Sequence, residues 1–201
     1  MNHLVGSIRR ILADLGGTRY RFALVGGLAV SVHIEPRTTR DVDIAVSVLD
    51  DAAAESLLRD MMCAGYTVSG VVEQTDTGRL ATARMLPPGD GTAIVDLLFA
   101  SSGIEPELVD AAEPVEILRS TTVPVASLGD LLALKLLARD DETRPQDAGD
   151  IRGLVRAATS SDLERARASV ALISERGYAR GRDLAALLAS SIASGRSTRS
   201  S

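Results

Sequence analysis

An apolar run that stops at paired glycines and resumes thirteen residues later around two alternating aspartates constrains this chain more than any other feature. The stretch is ALVGGLAVSVHIEPRTTRDVDIAV, residues 23–46. Tyr20–Val25 reads as a strand, Gly27–Ile34 as a short helix of small residues, and Asp41–Val46 as a second strand. Residues i and i+2 of a strand share a face, so Asp41 and Asp43 are neighbours on one surface while Val42 and Ile44 turn into the core. Carboxylates that close repel each other unless a cation lies between them. Either the strand is a solvated edge or its acids hold a cation, and oxygen donors of this kind suit Mg²⁺. Gly26 and Gly27 favour the second reading. Without side chains they let a phosphate approach the backbone, and the helix behind them offers N–H groups.

The remaining pattern predicts an α+β chain. Residues 4–15 are helical in period, and Asp50–Ala64 is a helix opening on acids. Three β-like runs follow, Tyr66–Glu73, Arg79–Leu86 and Thr92–Ala100, with a Pro/Gly turn over Met85–Ala93. Shorter extended pieces lie at Val115–Leu118 and Thr122–Val125. From Ser127 the character changes: SLGDLLALKLLAR is an apolar helix with a Ser cap, and 146–157, 161–174 and 181–192 are further helical segments. The expected organisation is an α/β core over 1–126, a helical region over 127–193 that completes the site, and a disordered tail over 194–201.

Composition narrows the function classes. No apolar run is long enough to cross a bilayer and no signal-peptide pattern opens the chain, so a cytoplasmic protein is expected. The single cysteine, Cys63, excludes an internal disulfide and is expected to be buried packing. His3 and His33 belong to no Cys/His cluster, which argues against structural zinc. A net charge of −5 argues against a general nucleic-acid coat, yet it is unevenly spread. Residues 1–126 carry 10 Arg against 17 acids, and residues 127–201 carry 12 basic residues against 10 acids. A polyanion would meet the C-terminal part more comfortably. Twenty-one of the 22 basic residues are Arg, and Lys135 is the sole Lys.

Two further signals join the aspartate pair. The run TAIVDLLFA is interrupted only by Asp96, and an acid there needs a cation: a metal, the favoured reading, or an Arg partner. Lys135 stands among Leu131, Leu132, Leu134, Leu136 and Leu137, so its stem is expected to be buried and its ammonium aimed at something definite. Arg139 follows one turn later, and Asp147 and Asp150 share a helix face from which they could orient Lys135 or a substrate hydroxyl, unless the stretch is simply a solvated helix start.

The pattern G-G-x13-D-x-D with a later strand acid resembles the DNA polymerase-β-like nucleotidyltransferase superfamily. More narrowly, VGGLAVSVHIEPRTTRDVDI is similar to the AbiEii-type toxins of type IV toxin–antitoxin systems, including the mycobacterial MenT group. Lys135 and the stretch RPQDAGDI, Arg144–Ile151, match that family's downstream signature, so the resemblance spans roughly residues 23–151. It implies a polymerase-β-like core, a mixed sheet with flanking helices, followed by a helical bundle. It further implies Asp41, Asp43 and Asp96 as ligands of Mg²⁺, with Lys135 and Asp147 beside them as catalytic groups. Gly26, Gly27, Arg40, Lys135, Arg139 and Arg144 would bind the nucleoside triphosphate. The implied reaction transfers a nucleotide, pyrimidine by resemblance, to the 3′ acceptor end of tRNA and blocks translation, with a cognate antitoxin as partner. Thr39 matches the position at which phosphorylation silences toxins of the MenT group. The open alternatives are nucleotidylation of a protein side chain or an aminoglycoside, and a nucleotide-binding protein that no longer turns over.

Overall fold

Apolar residues in this chain change their period from 3.6 to 2 and back, and the elements follow that change. The computed structural model describes residues 2–35, 41–89, 93–140 and 145–197. In chain order these form α1 (Asn2–Gly16), β1 (Phe22–Val25), α2 (Gly26–His33), β2 (Asp41–Val46), α3 (Asp51–Cys63), β3 (Thr67–Glu73), β4 (Leu80–Leu86) and β5 (Ile94–Leu98). They continue as α4 (Glu105–Asp110), β6 (Glu113–Leu118), β7 (Thr121–Val125), α5 (Leu128–Ala138), α6 (Pro145–Ala157), α7 (Ser160–Glu175) and α8 (Leu184–Ser197). The fold is the expected α+β mixture with a C-terminal group of helices.

The strands make one mixed sheet in the order β3-β4-β5-β2-β1-β7-β6. β2 and β5 run parallel, as do β1 and β7, while the other neighbours are antiparallel. Alternation sets the faces: Val42 and Ile44 are fully buried while Asp41 and Asp43, which alternate with them, stay partly open. Leu24, Val95 and Leu97 join Val42 and Ile44 in the core.

The C-terminal helices pack on the core because α5 is apolar around most of its surface. Leu131, Leu132, Leu136 and Leu137 are all buried. Its start is as expected: Ser127 accepts a hydrogen bond from the Asp130 N–H at 3.1 Å. α7 opens on a reciprocal capping box between Thr159 and Asp162.

Three expectations change. α4 has no counterpart among the expected elements, although Pro106 and two acids in its first turn fit a helix start. α8 runs through Ser197, into the stretch 194–201 expected to be a disordered tail. Helix continues there because Gly195, without a side chain, lets α8 close on Val155 of α6. Cys63 is exposed, since α3 turns Ala54, Leu57, Leu58 and Met61 inward and leaves position 63 on the other side.

Candidate active site

Strand register brings the sequence-separated charges into one line. Val25 of β1 is opposite Asp43 of β2, Asp43 is opposite Asp96 of β5, and Asp96 is opposite Arg84 of β4. Register partners on adjacent strands share a face, so Asp43, Asp96 and Arg84 form a charged row across three strands near the middle of the sheet. Asp41 lies two residues before Asp43, on the same face of the strand.

Gly26 makes room for this row. Its φ of +64° is a left-handed conformation, and a Cβ there would collide with the Asp43 carboxylate. Gly27 contributes its backbone N–H, which Asp43 accepts at the start of α2. The glycine pair thus serves the acid directly, in addition to the phosphate approach expected of it. Burial lifts the Asp43 carboxyl to about 6, with repulsion from Asp96 and Asp41 adding to it; Lys135 and the Gly27 hydrogen bond pull the other way.

Arg84 is the group that the sequence analysis missed. Its Nε donates to Asp96 Oδ1 at 2.8 Å and its Nη2 to Asp96 Oδ2 at 2.7 Å, a bidentate pair that raises the guanidinium further above its usual range. Asp96 therefore has the Arg partner that had been the less favoured reading of an acid in an apolar strand. Among the described residues no three His, Cys, Asp or Glu side chains are gathered into a ready-made metal cluster.

A second charged cluster closes the cleft from the helices. Lys135 Nζ lies 2.7 Å from Asp147 Oδ1 and 2.9 Å from Asp150 Oδ2, with both carboxylates almost fully buried. This is the orienting contact expected from the i, i+3 spacing. Asp147 Oδ2 is buried without a hydrogen-bond partner. A cleft of about 440 Å³ joins the two clusters, lined among others by Gly26, Asp43, Arg84, Asp96, Lys135 and Arg180.

α5 ends at Ala138, so Arg139 is the residue that caps the helix, one turn after Lys135, and it is not among the residues that line the cleft. The helix stops there because Arg182 bonds the Leu137 and Arg139 carbonyls, at 3.1 and 2.7 Å. Thr39, Arg40 and Arg144 lie outside the described residues.

This fold is similar to that of solved structures. One is an antigenic nucleotidyltransferase-like protein from Paracoccidioides brasiliensis, 18% identical, covering 93% of this chain and 92% of that one with a TM-score of 0.51. Another is the antibiotic-resistance factor ANT(2'')-Ia, 19% identical, covering 86% of this chain and 91% of that one with a TM-score of 0.52. No curated protein matches the chain in sequence. These likenesses show the fold of the chain: a mixed sheet with flanking helices like theirs. Residues 10–195 match the model of the nucleotidyl transferase AbiEii toxins of type IV toxin–antitoxin systems, and the chain belongs to that family. It is accordingly a nucleotidyltransferase, and its family implies a nucleotide substrate and an antitoxin partner. No helix among the described residues is long and apolar enough to cross a membrane.

Proposed function

We propose that this protein is a toxin that moves a nucleoside monophosphate, pyrimidine by preference, from a nucleoside triphosphate to the 3′ end of tRNA in the cytoplasm, as in the MenT group. The observation that carries the reading is the register pair Asp43–Asp96 at the floor of a cleft that Lys135 also lines.

The donor set fits a hard divalent cation. Three carboxylates stand on one sheet face, and mutual repulsion with burial already holds Asp43 near 6. Mg²⁺ takes one or two carboxylates and keeps water, so a fully converged trio is unnecessary. Asp41, Asp43 and Asp96 would hold it, and the bound ion would supply Lewis-acid neutralisation of phosphate charge. The acceptor hydroxyl, losing its proton to solvent, forms a bond to the α-phosphorus as the bond to the bridging oxygen breaks and pyrophosphate departs. Lys135 has three N–H donors; Asp147 and Asp150 take two, which holds the ammonium in place beside the cleft to offset leaving-group charge. Gly26 leaves the space that Asp43 needs, and Gly27 orients that carboxylate. Arg40, Arg139 and Arg144 are assigned to phosphate contacts on the family pattern. Phosphate on Thr39, two residues before Asp41, would add about −1.5 to −2 charges beside the acids and silence the enzyme.

Incubation with Mg²⁺, each α-labelled triphosphate and total RNA tests the reading. Label at the 3′ end of tRNA supports it; label in protein or a small molecule replaces the acceptor, and no incorporation with any acceptor overturns it.

A further inference from the structure

We propose that Arg84 is a positioning residue that locks Asp96, and that a divalent cation reaches this acid only by displacing the guanidinium. The inference rests on the reading that the strand acids hold such a cation.

Both Asp96 oxygens are engaged by Arg84, at 2.8 and 2.7 Å, so the carboxylate facing Asp43 is already neutralised. The two partners are unequally placed. The Asp96 side chain is 12% exposed and that of Arg84 is 48% exposed, so the arginine covers the acid from the solvent side. An arginine that open can swing away at little desolvation cost, whereas the acid beneath it is fixed in the strand. Arg84 is also in the field of Asp41 and Asp43, so the row as a whole helps to hold it over Asp96, while Lys135 acts on Asp43 from the helices. Gly70, its register partner on edge strand β3, puts no side chain beside it. In the exchange two N–H···O contacts break and the Asp96 oxygens pass to the cation. The freed guanidinium remains at the cleft, where its planar fork suits a phosphate as well as it suited the carboxylate. Cation binding at Asp96 is thereby weakened until a phosphate-bearing substrate offers Arg84 a second partner.

The test uses Mn²⁺ alone as probe, with affinity for the full chain read by calorimetry and by its electron paramagnetic resonance signal. Arg84→Lys keeps the charge but loses the fork, so a lock predicts Mn²⁺ binding about tenfold tighter than wild type. An affinity within twofold of wild type overturns the lock while leaving the cation site intact. No Mn²⁺ binding to either protein overturns the cation reading itself, and the lock with it. A second measurement needs no variant: in ¹⁵N-arginine-labelled wild type, saturating Mg²⁺ should speed solvent exchange of the Arg84 Nε–H. An unchanged exchange rate also overturns the lock.

Discussion

Two clusters of opposite charges flank the cleft, and they are built differently. On the sheet, Asp96 meets an arginine whose side chain is 48% exposed, and Asp43 is left with its carboxyl raised to about 6. On the helices, Lys135 is 12% exposed and gripped by two carboxylates at least as buried as itself. The first cluster has an acid whose charge is opposed and an outer cation that can leave. The second is closed around its cation and holds it in place. Electrostatic strain is thus concentrated where an incoming charge could relieve it, while the neighbouring ammonium is fixed in advance.

If that contrast is right, breaking the helical cluster has the largest structural effect. Lys135→Met leaves the Asp147 carboxylate buried without its ammonium, and chemical denaturation should show a loss of about 3–5 kcal/mol. A loss below about 1 kcal/mol would mean that the ammonium is not held as described. The sheet cluster should respond with the opposite sign. Asp43 binds its proton more tightly in the folded than in the unfolded chain. Folded protein therefore holds the extra proton between about pH 4 and pH 6, and stability falls as pH rises through that window. Asp43→Asn should remove this slope and gain up to about 3 kcal/mol at pH 7, read from melts across pH. Next in size, Gly26→Ala forces a side chain into the left-handed region and against Asp43. A loss of about 2 kcal/mol is expected, with transfer reduced as the carboxylate shifts. The smallest effect calibrates the rest: the half-open pair Glu107–Arg176 should cost less than about 1 kcal/mol on Arg176→Ala, since water screens it.

The two clusters also differed in how far the sequence revealed them. Asp41 and Asp43 were readable because strand period two fixes which residues share a face. Lys135 with Asp147 and Asp150 was readable because i, i+3 spacing does the same on a helix. Arg84 was not, because its contact with Asp96 depends on the register of β4 against β5 across a Pro- and Gly-rich connection, and neither strand pattern fixes that register. The end of α5 was not readable for a related reason: Arg182, 43 residues further on, bonds the Arg139 carbonyl there. Cys63 shows the limit within a single helix, where its apolar neighbours Met61 and Met62 suggested burial but only Met61 lies on the inward face.

The central claim is that the strand acids serve transfer at a cost to the fold, and one paired measurement on Asp43→Asn tests it. Transfer of α-labelled nucleotide and thermal stability are read on the same preparation at pH 7. The account predicts transfer reduced on the order of a thousandfold together with a higher melting temperature. Transfer within a few-fold of wild type, or a variant that melts well below it, would contradict the account.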